Sequence, residues 1–220
     1  MSWVLANRPT IAGHLLAHLL QAVPAIVASF VLAIPIARLA RVARPLRAVL
    51  VTGSSLLYAV PSLALFVILP IILATGIRDP LNVIVALTLY GLALLVPATA
   101  DALDAVDARV LDAATAMGMG RLRCFLTVEL PLAGPAILTG LRVVTVSTIS
   151  LTTVGAVLGV RSLGWLFTDG FQRGITAEIV TGLVATAALA LVLDGLVLAL
   201  GRLCLPWTWK RAGDAGAVPA

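Results

Sequence analysis

Charge is what this sequence has least of. Only 11% of its 220 residues are Asp, Glu, Lys or Arg, less than half the share found in ordinary soluble domains. With 61% hydrophobic residues and a mean hydropathy of +1.12, the chain carries more apolar surface than a water-solvated core can hide, so lipid is its solvent. Lysine is almost missing. Lys210 is the sole example and follows Trp209, which excludes a phosphate-binding loop built on Gly-Lys-Ser/Thr. The two cysteines, Cys124 and Cys204, form neither a CxxC nor a metal-ligand spacing and read as unpaired thiols. Aromatics make up 5% of the chain. The net charge of +5 comes from arginines scattered between apolar runs, so no basic face with interleaved aromatics exists for nucleic acid. No HExxH, paired-aspartate or Ser/His constellation stands inside an apolar run, which disfavours an intramembrane enzyme.

What is present is length without charge. The runs 11–37, 49–77 and 81–100 contain no charged residue, 130–160 contains only Arg142, and 179–201 contains only Asp194. Each reaches the roughly 20 residues that a helix needs to cross a bilayer. Strand-like alternation is absent, so the expectation is an all-α polytopic membrane protein. Its spans are placed at about 11–37, 48–77, 81–101, 132–160 and 176–203. The first run is too long and too proline-rich for a cleaved leader and reads as a retained span. The membrane domain covers 1–205, with a disordered cytoplasmic tail over 206–220. The aromatic- and glycine-containing stretch 161–174 reads as a short interfacial or re-entrant helix, a sixth membrane element if counted. No internal repeat is visible. Pro24, Pro35, Pro61, Pro70 and Pro97 fall inside spans, where they serve either bundle packing or hinging.

Arginine placement gives the orientation. Arg38, Arg41, Arg44, Arg47, Arg109, Arg121, Arg123, Arg202, Lys210 and Arg211 fall on one side, and Arg8, Arg78, Arg161 and Arg173 on the other. The richer side is cytoplasmic by the positive-inside rule. The N-terminus is therefore expected outside, the C-terminus inside, and the polar insert 102–131 inside.

That insert combines Asp112, the helix-forming Ala113, Ala114, Ala116 and Met117, and the helix-breaking Gly118 and Gly120. The pattern predicts two short helices meeting at a glycine elbow on the inner membrane face. Its spacing is specific: Asp112-Ala113-Ala114, three residues, Gly118, nine residues, then Val128-Glu129-Leu130-Pro131. This resembles the EAA loop (E-A-A, three residues, G, nine residues, I-x-L-P) of ABC importer permeases, with Asp for Glu and Val for Ile. The stretches 58–70, 112–140 and 191–203 together are similar to osmoprotectant permeases, for glycine betaine, carnitine, choline or proline. The resemblance implies a type I importer permease fold in which the insert is a coupling helix docked on an ATPase subunit. Asp112, Ala113, Ala114 and Gly118 would contact that ATPase, and Leu130 and Pro131 would start the next span. It also implies an extracytoplasmic solute-binding protein, a second permease copy or paralogue, and ATP with magnesium on the ATPase, leaving this chain without a cofactor and not itself an enzyme. The translocation path is expected to involve Tyr58, Pro61 and Ser62 together with Thr145, Thr148 and Thr152. One departure stands out. The family's G-A-G-G-L-G turn is here Leu158-Gly159-Val160-Arg161-Ser162-Leu163-Gly164, which keeps two glycines and leaves the outer gate and solute open. An importer for another small solute, such as an amino acid, is the neighbouring reading. An ion-coupled carrier fits less well, having no need of the loop.

Polar groups inside the spans complete the reading. Arg142 lies eleven residues after Pro131, and Asp194 eight before Arg202. At a rise of about 1.5 Å per residue both sit on the order of 12 Å from the inner surface, where two antiparallel helices can set them opposite each other. A structural ion pair is the first expectation and a proton relay through Asp194 the second. Thr145, Thr148 and Thr152 share a helical face and either line a wet path or join helices. Tyr58, Phe66 and Trp165 are candidates to meet a quaternary ammonium or to anchor at the interface. His14 and His18 are spaced for a metal pair but lack a third ligand, and read as interfacial.

Overall fold

The computed structural model describes residues 2–42 and 44–207. Among them every element is helical: α1 (Ser2–Ala6), α2 (Arg8–Val42), α3 (Arg44–Leu57), α4 (Ser62–Leu73), α5 (Pro80–Asp104), α6 (Ala108–Ala116), α7 (Arg121–Cys124), α8 (Leu130–Thr152), α9 (Trp165–Arg173) and α10 (Thr176–Cys204). A π-turn, Phe125–Glu129, joins α7 to α8, and a 3-10 turn, Thr153–Leu158, ends α8. α2, α5, α10 and the α8 segment are long and apolar enough to cross a membrane, and α3 with α4, bent by 108°, forms either a broken fifth span or a re-entrant pair. The tail expected over 206–220 lies outside the described residues except for Pro206 and Trp207.

α5 is the central helix and α10 a peripheral one: 56% of the most apolar stretch of α5 is buried in the bundle, against 6% for α10. Lipid supplies no hydrophobic drive for helix association, so close approach of small residues must supply contact instead. α2 shows how. Ala22, Ala25, Ser29, Ala33, Ala37 and Ala40 recur every three or four residues and are wholly buried, a smooth stripe laid against α5. At the crossing, a Cβ on Gly91 would sit 2.1 Å from Ser29 Oγ, so the helices meet nearly backbone to backbone. Ser29 Oγ donates to Ala25 O at 2.7 Å and lies 3.2 Å from Thr88 O. α8 meets α10 the same way, with Gly201 beneath Leu138.

The second span differs from the single helix expected over 48–77. Pro61 has no amide hydrogen and drives the residue before it out of the helical region, and residues 58–61 separate α3 from α4. At the break the Leu57 carbonyl accepts the Val60 amide at 3.2 Å, and the Tyr90 hydroxyl of α5 donates to the Val60 carbonyl at 2.6 Å. By contrast α2 runs on through Pro24 and Pro35, and α5 through Pro97. Proline is thus carried within a continuous helix in α2 and α5 and marks a break at Pro61.

The end opposite the insert is closed by residues 159–174. Leu163 and Leu166 are fully buried beside Ala22, Ile149 and Leu189, so α9 packs on the bundle through one face, while Phe171 is 81% exposed on the other. One face of α2 anchors this segment. Gln21 Nε2 donates to Arg161 O at 2.7 Å, the Leu163 amide donates to His18 Nδ1 at 3.4 Å, and the His14 ring stacks on Trp165 at 4.7 Å. Both retained glycines are needed here. Gly159 has φ +80, and a Cβ on Gly164 would lie 2.1 Å from the carbonyl oxygen of Thr153. Because that neighbour is backbone, Gly164→Ala is expected to destabilise the protein by about 3 kcal/mol. The check is the Tm of the purified chain in detergent; an unchanged Tm would contradict the packing described.

Candidate functional site

The site expected at the insert is built from short-range signals. The Asp107 carboxylate accepts from the Arg109 amide at 2.9 Å and starts α6, satisfying one of the donors that every helix N-terminus leaves free. α6 ends at Ala116 and is capped by Met117, Gly118 turns the chain with φ +82, and Gly120 opens α7. Nothing lies within 4 Å of a Cβ placed on Gly118. Its glycine is therefore a requirement of backbone conformation, not of space. Two short helices at a glycine elbow are what the pattern predicts.

The exposed side of this elbow carries Asp112, Ala113 and Gly118 with the apolar Val110, Met117 and Leu122, of which Met117 is 72% exposed. Ala114 differs from the expectation. It is 2% exposed and its carbonyl accepts the Met119 amide at 3.2 Å, so it packs the elbow against its own chain and offers no surface to a partner. Leu130 and Pro131 open α8, as the resemblance implied; both are half-buried and line a groove against α2 and α10.

What sequence reasoning missed is how the elbow is fixed to the spans. The Arg38 guanidinium lies 4.0 Å over the Phe125 ring. Arg41 donates to Glu129 and lies 3.4 Å from Asp104, and Arg47 pairs with the same Asp104. The end of α2, the start of α3, the end of α5 and the π-turn behind the elbow therefore share one charge cluster. Its arginines were legible only as topological charges. The pointer in the sequence is that Asp104 and Glu129 are acids at the arginine-rich rim, where they have cations to meet.

The remaining candidates separate. Arg142 and Asp194 meet in a two-pronged contact, Nε to Oδ1 at 2.8 Å and Nη2 to Oδ2 at 2.7 Å, linking α8 to α10. Replacing either residue with a neutral one is expected to lower membrane yield several-fold. Exchanging the two should restore it, and absence of rescue would count against the pair. Thr145, Thr148 and Thr152 are 1%, 3% and 0% exposed. Thr145 donates to Leu141 O and Thr152 to Thr148 O. Of the two uses open to these hydroxyls, the single chain displays packing, because their face is turned into the bundle. Tyr58, Pro61 and Ser62 instead lie at the α3–α4 break, with Tyr58 47% exposed and edge-on to Tyr90 at 6.0 Å. The three aromatics considered for a cage do not converge: Phe66 is buried in the core and Trp165 belongs to the end closed by α9. His14 and His18 are buried against the segment that closes the far end, and no cluster of three metal-ligating side chains exists among the described residues. Cys124 is buried, Cys204 is exposed, and both are free thiols.

Comparison with known proteins agrees with this geometry. Residues 25–209 match the family described as binding-protein-dependent transport system inner membrane component. The choline transport system permease protein OpuBD of Bacillus subtilis (strain 168) is 29% identical over 197 residues, covering 89% of this chain and 86% of that protein. The ergothioneine transport permease/ergothioneine binding protein EgtU of Helicobacter pylori (strain G27) is 33% identical over 151 residues, 69% of this chain but 27% of that longer protein. A chain of the inward-facing MetNI methionine ABC transporter superposes with a TM-score of 0.77 at 20% identity, covering 88% of this chain and 95% of its own. An apolar helical bundle, an exposed glycine elbow at one rim and a family match over most of the length lead to one conclusion: the chain belongs to the binding-protein-dependent transport system inner membrane component family.

Proposed function

We propose that this chain is the membrane-spanning permease of an ATP-driven importer for a small osmoprotectant, of the class of glycine betaine, choline, carnitine or proline. The observation that carries the mechanism is the elbow at Gly118, exposed at its tip and fixed at its base by Arg38, Arg41 and Arg47. An ATPase subunit seated on Val110, Asp112, Ala113, Met117 and Leu122 would move the elbow as a rigid body when ATP, with its magnesium, closes the motor. The charge cluster would carry that displacement into α2, α3 and α5. This chain binds no cofactor and performs no hydrolysis in this scheme. A solute-binding protein delivers cargo to the far end. A second permease copy, or a paralogue, faces the open surface at Tyr58, Pro61 and Ser62 to complete the path. The N-terminus is outside and the C-terminus cytoplasmic, so the elbow meets the cytoplasm. Arg142 and Asp194 act as a structural pair that neutralises both charges within the bilayer.

The solute class is supported by shared chemistry. Choline and ergothioneine, named for the two relatives, both carry a trimethylammonium group, as do glycine betaine and carnitine. The test is uptake of radiolabelled choline by cells carrying the chain with its ATPase and receptor. Unlabelled glycine betaine, carnitine and ergothioneine are expected to compete, and methionine and histidine are not. Competition by methionine or histidine alone would overturn the solute class.

A further inference from the structure

The far end holds a cavity of about 410 Å³ between the α4–α5 loop, the turn after α8 and one face of α9. Its walls carry opposite charges on opposite elements. Arg78 enters from the α4–α5 loop; Trp165, Thr168, Asp169 and Gln172 enter from α9. Arg78 pairs with no carboxylate among the described residues. It is laid across Gly159, where a Cβ would come within 3.0 Å of its Nε. Glycine at this position, with φ +80, thus leaves room for the guanidinium at the cavity wall. Asp169 is held in place by Arg173, which donates to Oδ2 at 3.0 Å. The Trp165 ring, backed by His14 at 4.7 Å, lines the cavity beside it.

An unpaired guanidinium facing a carboxylate and an indole is a complementary surface for a small zwitterion. The guanidinium takes a carboxylate through a charge-assisted hydrogen bond. The indole and Asp169 take an ammonium, including a quaternary one that has no proton to donate. We infer that the cavity between Arg78 and the Trp165–Asp169 face is a solute site on the permease itself, which receives a carboxylate-bearing ammonium compound at the mouth of the path. The inference deepens the proposed function and rests on its solute class. It is separate from the elbow at the other end, and it gives a physical role to one of the two glycines kept in 158–164, since Gly159 accommodates the cation.

The experiment uses the permease–ATPase complex in nanodiscs without the receptor, titrated with glycine betaine and, separately, with choline, which lacks the carboxylate. Arg78→Gln is expected to weaken glycine betaine by about tenfold or more while leaving choline unchanged. Asp169→Asn is expected to weaken both by about tenfold. Thermal midpoints are recorded for each variant, so that loss of fold is not read as loss of binding. The site is overturned if the wild-type complex binds neither probe, if Arg78→Gln leaves glycine betaine unchanged, or if it weakens both probes alike. ATP-driven uptake is measured in parallel with the receptor present. Binding without uptake contradicts the proposed transport function and leaves the site standing; uptake without binding does the reverse.

Discussion

Replacing Arg41 with alanine is expected to abolish solute uptake while the assembled complex continues to hydrolyse ATP. Arg41 touches both the exit of the elbow, at Glu129, and the end of the central helix, at Asp104. Removing it leaves two carboxylates near each other, with Arg47 on Asp104 alone. The elbow then loses its charged tie to α2 and α5. Just behind it lies the π-turn Phe125–Glu129, a helix distortion of the kind that concentrates at working joints. With the tie cut, motion of the motor dissipates at this joint. Hydrolysis should persist and lose its dependence on loaded receptor. Arg41→Lys is expected to rescue only in part, because a point charge cannot reach two carboxylates as a planar fork does. The measurement is the ratio of solute transported to ATP hydrolysed in proteoliposomes. Loss of hydrolysis in proportion to uptake would mean that Arg41 merely holds the complex together.

The second large effect is expected at the α2–α5 crossing. Gly91→Ala places a Cβ at 2.1 Å from Ser29 Oγ and 2.7 Å from Ser29 Cβ, contacts that the protein can relieve only by separating two helices. The stripe of buried small residues from Ala22 to Ala40 depends on that approach along much of its length. Destabilisation of about 3 kcal/mol or more is expected, seen as loss of folded protein in the membrane. Ser29→Gly in the same chain removes both offending atoms, leaving Val144 Cγ1 at 3.3 Å, and should restore much of the yield. A Gly91→Ala protein as stable as the parent, or a double variant no better than the single, would contradict the crossing.

The parts of this molecule legible in its sequence are those whose cause is local. Charge-free runs located four long helices but not their ends: the run 11–37 lies inside α2 (Arg8–Val42), and 130–160 overruns α8 (Leu130–Thr152). The interval from Asp112 through Gly118 to Pro131 set the elbow, because a helix, a left-handed turn and a second helix each depend on only a few neighbours. Arg142 and Asp194 were also within reach, since antiparallel helices convert sequence distance from a common surface into depth. Harder to see was whatever depended on a distant partner. Pro61 looks like Pro24, Pro35 or Pro97 in the sequence; only the hydroxyl of Tyr90, far along the chain, marks it as the place where the helix breaks. The threonine periodicity identified a face but could not say what that face meets. His14 and His18 found their reason in Trp165 and the Leu163 amide, and the arginines of the rim beside the elbow found theirs in Asp104, Phe125 and Glu129. In each case the deciding atom lies on another element of the fold.

The central claim is that the elbow passes a push from a separate nucleotide motor into the bundle, and Gly118 tests it most directly. Its φ of +82 excludes a β-branched side chain on conformational grounds, while the empty space around it removes packing as an explanation. The measurement is ATP-driven choline uptake in proteoliposomes holding the chain, its ATPase and its receptor. The parent is compared with the Gly118→Asn and Gly118→Val variants at equal assembly. The account predicts uptake by the parent, substantial uptake with asparagine, which tolerates the left-handed region, and none with valine. Full uptake by the valine variant, or uptake by the chain with no ATPase subunit present, would contradict it.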